Sequence, residues 1–304
     1  MTAKFKIIPF VLLAVLVVTC KKKENIHSNE SINSGKATIL VDETLTPIIE
    51  DQVQIFENKH QAKITLESKS ETEVIQKLVN DTSQIAVLTR KLTLQEEKIF
   101  ENKKIIPKIT KIATDAIALI SNKSSNDTLV DLQDVIAFMQ QKPSKIKGLV
   151  FDNPNSSTAR YINDLAGIKS FPDKGVFSFK TNDEVIKYVS ENDGIIGIIG
   201  MNWINNPQPE MRPYIENLNV LSVKGKSSNS YTFPSQNNIA EGIYPLARDL
   251  YIVNCQGYAG LGMGFSSFVS SEIGQRIMLK AGLLPANTPG RNLHIRNDIE
   301  NNQK

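Results

Sequence analysis

Three segments of this sequence place hydroxyl side chains where an oxyanion could be held. The first is Val41-Asp42-Glu43-Thr44-Leu45-Thr46-Pro47. Pro47 suits the first turn of a helix, and Thr44 or Thr46 suits its cap. The second is Glu67-Ser68-Lys69-Ser70-Glu71-Thr72, with Ser70 just before a periodic helix. The third runs from Phe151 to Arg160 and holds Ser156, Ser157 and Thr158 in a row. Each follows an apolar, strand-like run and precedes a helical pattern. Helix N-termini present free N–H groups and a partial positive charge, so such junctions suit anions. Ligands of open α/β sheets bind at these strand ends. Any one loop, taken alone, reads more readily as plain helix capping; three together point to a site.

Other chemistries find little support. His27, His60 and His294 are scattered and make no metal-ligand spacing, so no metal or cofactor is expected. No histidine accompanies Ser156, Ser157 or another serine motif, so a Ser-His-Asp triad is not expected. Gly260-Leu261-Gly262-Met263-Gly264 lacks the glycine spacing of a dinucleotide loop and opens no early βα unit. Cys255 lies in an apolar run and reads as a core residue. Trp203 follows a strand end and reads as core or hinge. Arg248 reads as an ion-pair partner.

The elements needed to position the three loops can be read from periodicity. Strands are expected at 37–41, 64–66 and 85–88, with helices over 47–58 and 72–79 between them. That βαβαβ order predicts a mostly parallel sheet covered by helices. Ile112 to Ile120 is a longer β-type run, suited to cross between two lobes. A second set follows, with strands at 149–151, 176–179 and 195–199 and helices from Ser157 and over 182–189. The C-terminal part holds a strand at 249–253 and a helix over 266–281.

The first twenty residues carry a different signal. Lys4 and Lys6 precede an apolar run of twelve residues, Ile7 to Val18, too short to span a bilayer as a stable helix. Val17-Val18-Thr19-Cys20 closes it, the layout of a secretory signal peptide that resembles a bacterial lipobox. That resemblance implies cleavage before Cys20 and acylation of Cys20, which anchors the protein in a membrane without a spanning helix. Residues 1–19 are then the signal peptide, and 20–36 a lipidated, flexible tether. Cys255 is left alone, so no intramolecular disulfide is expected. Of 35 basic residues, Lys4 and Lys6 leave with the leader. The remaining 33 face 32 acidic ones, no footprint for nucleic acid.

A family resemblance joins these readings. Ser83-Gln84-Ile85-Ala86-Val87-Leu88-Thr89-Arg90-Lys91-Leu92 resembles the Asp-Ile-Gly-x-x-Ser-Arg-x-Leu segment of the phosphate-binding subunits of phosphate ABC transporters. Thr114 to Leu119 resembles their Asp-Gly-Ile-Ala-Val crossover strand, and Asn155 to Thr158 their Gly-Ser-Gly-Thr anion loop. Gly194-Ile195-Ile196-Gly197 resembles Gly-x-Ile-Gly-Tyr. Tyr244-Pro245-Leu246-Ala247-Arg248 matches Tyr-Pro-Leu-x-Arg; Gly274-Gln275 and Gly282-Leu283-Leu284-Pro285 match the C-terminal motifs. The resemblance implies the α/β, two-lobed type II periplasmic binding protein fold with crossover strands. Lobe one would hold 37–118 plus 245–304, and lobe two 119–244. It implies no enzyme, but capture of inorganic phosphate or a related oxyanion and hand-over to ABC permease subunits. The place would be the periplasm or cell surface, with lipid anchoring through Cys20.

Carried over position by position, the resemblance implies ligand contacts from Thr44 with Leu45, from Ser70, from Thr89 or Arg90, and from Ser156, Ser157 and Thr158. Three departures stand out. Ser157 replaces a glycine. Asp152 stands where some members have arginine. Asp42 and Glu43 replace small residues, and Arg90 or Arg160 is expected to supply positive charge. Phosphate near neutral pH keeps a P–OH proton that sulfate lacks. A buried carboxylate can accept that proton and repel sulfate. Alternatives are another oxyanion or polar solute in the same cleft, a lipid-anchored phosphoester hydrolase, or an interaction protein without a ligand.

Overall fold

A computed structural model describes residues 30–81 and 84–288. The signal segment, Cys20, His27, His294 and residues 21–29 of the expected tether lie outside the described residues. Elements of the first half alternate: β1 (Ser34–Asp42), α1 (Thr46–Lys59), β2 (Gln61–Lys69), α2 (Glu71–Asn80), β3 (Ile85–Leu88) and α3 (Leu94–Asn102). A 3-10 turn, Glu43–Leu45, joins β1 to α1. The long β4 (Lys108–Asn122) follows. The middle holds β5 (Leu129–Asp131), α4 (Leu132–Met139), β6 (Leu149–Phe151), α5 (Ser157–Ala166), β7 (Val176–Ser178) and α6 (Asn182–Glu191). It continues with β8 (Ile196–Gly200), α7 (Asn202–Asn205), α8 (Arg212–Ile215), β9 (Leu218–Val220), β10 (Ser222–Lys224), β11 (Tyr231–Thr232) and α9 (Gln236–Ala240). The chain returns through β12 (Ala247–Asn254), α10 (Leu261–Ser270), α11 (Glu272–Lys280) and β13 (Leu284–Pro285).

The main sheet has the order β2-β1-β3-β12-β4-β8-β6-β7. Its two flanks are parallel: β2-β1-β3 on one side, β8-β6-β7 on the other. The centre is antiparallel, because β12 and β4 run against each other and against their outer neighbours. The sheet is therefore mixed rather than mostly parallel, and the crossover strands are the reason. A small second sheet, β11-β10-β5, covers the far end of the middle segment.

Side chains alternate across the first flank. Ile39 and Val41 of β1 and Ile85 and Val87 of β3 enter a core with Phe56, Leu250, Phe265 and Phe268. Leu40, Ala86 and Leu88 enter the opposite core with Val74, Leu78 and Phe100. Period-two alternation gives each face its own helical cover, α1 with α10 and α11 on one side, α2 with α3 on the other. A third core runs from Ala116 to Leu246 and binds the middle elements together. β4 passes from one core to the next: Ile112 and Ala113 belong to the first, Ala116 to Ile120 to the third.

Several boundaries differ from the sequence reading, and two of them change how the chain is tied together. β1 begins at Ser34, so the last residues assigned to the tether join the sheet opposite Gln61 to Lys63. Glu30 also reaches the body, accepting from the Leu261 N–H and the Tyr258 hydroxyl. The helix expected over 266–281 is two helices, because Ser271 caps α11 with its hydroxyl and turns the chain. The turn is tight: a Cβ on Gly274 would stand 2.4 Å from the Val269 carbonyl oxygen. Gln275 then donates to the carbonyls of Ile112 and Val269, tying α11 to β4. Among the described residues, no helix is long and apolar enough to cross a membrane.

Candidate functional site

Asp115 on β4 and Arg248 on β12 are direct cross-strand neighbours at the point where the chain passes between cores. Facing residues on antiparallel strands meet naturally, so topology makes this pair. Arg248 Nη2 lies 3.1 Å and Nε 3.3 Å from Asp115 Oδ2, with both side chains almost wholly buried. A guanidinium this deep needs all its donors used. Nη1 donates to Ser157 Oγ at 3.0 Å and Thr158 Oγ1 at 3.3 Å, and Nη2 to Thr44 Oγ1 at 3.3 Å. Gly200 at the end of β8 leaves the room. A Cβ there would stand 3.3 Å from Arg248 Nη2 and 2.5 Å from Asn202 Oδ1.

The first loop meets this floor from the β1 side. Asp42 Oδ1 accepts from the Thr44 N–H at 3.0 Å and from the Thr44 hydroxyl at 2.9 Å. Thr44 Oγ1 also lies 3.1 Å from Ser157 Oγ, across from α5. The Thr44 carbonyl accepts from Asn202 Nδ2 at 3.1 Å and Trp203 Nε1 at 2.9 Å. Leu45 sends its side chain into the first core and offers only backbone here. The Thr44 hydroxyl, which the family resemblance assigns to the ligand, is thus engaged by Asp42.

Ser156, Ser157 and Thr158 open α5, and all three are buried. Ser156 is the cap: its hydroxyl accepts from the Ala159 N–H and donates to Asp152 Oδ1 at 2.7 Å. Asp152 Oδ2 accepts from Asn182 Nδ2 at 3.2 Å. Ser157 and Thr158 point to Arg248 and contribute their N–H groups at the helix start. Ser70 is also spent on a cap, donating its N–H and hydroxyl to Glu73.

Thr89 and Arg90, expected at the ligand, turn to Glu71. Thr89 Oγ1 and Arg90 Nε donate to its carboxylate at 3.2 and 2.9 Å, and Arg90 holds Glu96 with its other nitrogens. Arg160 reaches the same carboxylate at 2.7 and 3.3 Å. Glu71 therefore occupies both arginines that sequence reasoning offered as the cation of the site. The central cation is Arg248. Its ion pair was readable, but its reach to three hydroxyls was not. Asn202 and Glu71 carried no sequence signal beyond their places after a strand and at a helix start.

The electrostatics are dominated by buried carboxylates. Burial, helped by Glu71, pushes the Asp42 carboxyl up to about 6 against the pull of Arg248. Burial and the charges of Asp152 and Asp42 push Glu43 up to about 8. Burial also raises Asp115 and Asp152 above the ordinary carboxylate range. Several acceptors here are buried without a hydrogen-bond partner: Asp42 Oδ2, Glu43 Oε1, Asp115 Oδ1, Asn182 Oδ1 and Asn202 Oδ1. Buried acceptors without partners are destabilising, so the arrangement suits a ligand that brings a proton of its own. Among the described residues, no cluster of three or more His, Cys, Asp or Glu is placed to hold a metal. His60 packs against the Phe56 ring, and burial pushes the Cys255 thiol up to about 12.

Comparison with known proteins identifies the family and the fold. A family model described as the PBP superfamily domain matches residues 28–272. No curated protein matches the sequence. Among solved structures, one similar fold is a Clostridium perfringens protein described as a phosphate ABC transporter substrate-binding protein with bound phosphate. Its TM-score is 0.69 at 19% identity, covering 83% of this chain and 100% of that one. An ABC-type phosphate transport receptor from Vibrio cholerae gives 0.62 at 16% identity, over 83% and 100% of the two chains. PstS from Borrelia burgdorferi gives 0.52 at 25% identity, over 84% and 100%.

Proposed function

We propose that this chain, which belongs to the PBP superfamily, captures inorganic phosphate outside the cytoplasm and delivers it to the permease of an ABC importer. The mixed α/β fold with crossover strands is that of type II periplasmic binding proteins. Proteins of this kind bind and hand over a solute, and the residues around Arg248 supply hydrogen-bond donors and acceptors for one. One observation carries the reading. Hydroxyls from two separate loops, Thr44 from the turn after β1 and Ser157 and Thr158 from the start of α5, meet on the buried Arg248, beside the unpartnered Asp42 Oδ2.

That set suits a tetrahedral oxyanion that keeps one proton. Arg248, the two α5 hydroxyls and the opening N–H groups of α5 would donate to phosphate oxygens. Asp42 would share the remaining proton, accepting it from P–OH when ionised. Sulfate brings no such proton and would face the carboxylate unpaired. Binding would draw the two lobes together about the crossover strands β4 and β12. Lobe one would comprise 37–118 with the C-terminal part, and lobe two 119–244. Acylation of Cys20 would tether the receptor to a membrane.

Competition binding tests the reading. Arsenate, a protonated tetrahedral anion like phosphate, is expected to displace phosphate, and sulfate is not. Displacement by sulfate equal to that by arsenate would replace phosphate with a general oxyanion. Binding of neither would turn the search to proton-bearing polar solutes.

A further inference from the structure

Of the side-chain clusters outside the Arg248 centre, the one around Glu71 is the most completely built. Glu71 opens α2 on the first lobe, and its side chain is 4% exposed. Thr89 and Arg90, on the same lobe, hold it from one side. Arg160 belongs to α5 on the opposite lobe and reaches across with Nε at 2.7 Å and Nη2 at 3.3 Å. Arg160 is 31% exposed and its other nitrogen meets Asp164, so this contact lies at the rim, not the floor. Thr72, next to Glu71, adds a bond from its hydroxyl to the Asn155 carbonyl across the same gap, at 3.4 Å.

We propose that the Glu71–Arg160 ion pair is the latch of the cleft: a contact that forms only when the lobes meet and that sets how long the ligand is held. Neither residue needs to touch the ligand. This rests on the phosphate-receptor reading for its ligand, but the latch itself follows from which lobe carries each partner. Arg90 and Thr89 keep the Glu71 carboxylate ordered whether or not Arg160 is present. The receptor half of the latch is thus prebuilt, and closure need only bring in Arg160. Glu71 is almost wholly buried, and breaking a buried, hydrogen-bonded charge pair mainly changes dissociation. A ligand enclosed between lobes leaves only after they part, so a latch acts on the off-rate and leaves the on-rate near its original value.

The test compares Arg160→Met, Arg160→Lys and Glu71→Gln with the parent protein, each first checked for its melting transition. Stopped-flow release of phosphate is expected to quicken about tenfold in Arg160→Met, with association little changed. Arg160→Lys, which keeps the charge without the fork, should restore part of the hold. Arg160→Met combined with Glu71→Gln should release phosphate no faster than the faster single variant, because both remove one interaction. Equal off-rates in parent and Arg160→Met would overturn the latch. Small-angle scattering reads the same contact without a ligand, because the latch also draws the empty lobes together part of the time: Arg160→Met should show a larger radius of gyration than the parent. Identical radii, in a parent that does not bind phosphate, would overturn the latch along with the receptor reading. A larger radius in such a protein would keep the latch and discard only phosphate.

Discussion

Replacing Asp42 with asparagine separates the two roles of that carboxylate. Asp42 is fully buried; Oδ1 accepts two bonds from Thr44 and Oδ2 has no partner. Asparagine keeps the shape and an acceptor for Thr44 but removes the charge. The folded protein holds the Asp42 proton more tightly than the unfolded chain does. Ionisation therefore destabilises the fold once pH passes the unfolded value, and increasingly so up to about 6. The rise from 3.8 to about 6, at about 1.4 kcal/mol per pKa unit, is worth about 3 kcal/mol. The new N–H₂ facing the former Oδ2 position offsets part of this, since a buried donor without a partner costs about 1–3 kcal/mol. Asp42→Asn should thus be more stable than the parent at pH 8 by about 0–2 kcal/mol, and should lose that advantage near pH 4. Binding moves the other way. Loss of a charge-assisted bond to P–OH, about 1.5–3 kcal/mol, should weaken phosphate about 10- to 100-fold. Sulfate should now compete, because the repelling charge is gone. Thermal melts at the two pH values and calorimetric titration of both anions give the answer. An Asp42→Asn protein markedly less stable than the parent at pH 8, or one that binds phosphate unchanged and still excludes sulfate, would refute the reasoning.

Other expectations follow from the same centre. Arg248→Met leaves Asp115 buried without its cation; a loss of about 3–5 kcal/mol in denaturant unfolding is expected, together with loss of phosphate binding. Unchanged stability would mean that Asp115 is protonated and the pair is not ionic. In the ligand-free parent, Glu43 holds its proton more tightly when folded, up to about 8, so stability should rise as pH falls from 8 to 6, and Asp42 should add to the rise only below about 6. A melting temperature that is flat or falling over that interval would contradict the raised carboxyls. Gly200→Ala places a Cβ 2.5 Å from Asn202 Oδ1, which moves the side chain that holds the Thr44 carbonyl. A cost of about 1–3 kcal/mol and weaker phosphate binding are expected from melts and titration.

Much of the fold was legible because alternation leaves a clear signature. β3 and β6 occupy the residues the apolar runs marked, and α5 begins at Ser157 as expected. Crossover β4 was visible as an unusually long β-type run. The helices α3 and α4 were not read. In α3 only Phe100 is buried, so its sequence offers almost no periodic face, while α4 is apolar on too many sides to show one. The split between α10 and α11 hides in Ser271, one hydroxyl among several nearby.

The site was legible by residue type and less so by partner. Thr44, Ser157 and Thr158 do converge, and hydroxyls at strand-to-helix junctions were the signal. Ser70 and Ser156 follow the capping reading, since each has a carboxylate within reach that accepts a hydrogen bond from its hydroxyl. Which arginine stands at the centre could not be read from spacing. Arg248 is 91 positions from Ser157, and only the antiparallel pairing of β4 with β12 brings them to 3.0 Å. Arg90 and Arg160 were nearer in sequence, but Glu71 holds both. Assigning a free cation to a ligand requires first knowing every carboxylate that folding brings beside it.

The central claim is most directly tested by calorimetric titration of inorganic phosphate into the protein after residual phosphate has been stripped. The account predicts saturable one-to-one binding that is abolished in Arg248→Met, weakened in Thr158→Ala and not competed by sulfate. No heat and no thermal stabilisation at millimolar phosphate would contradict it.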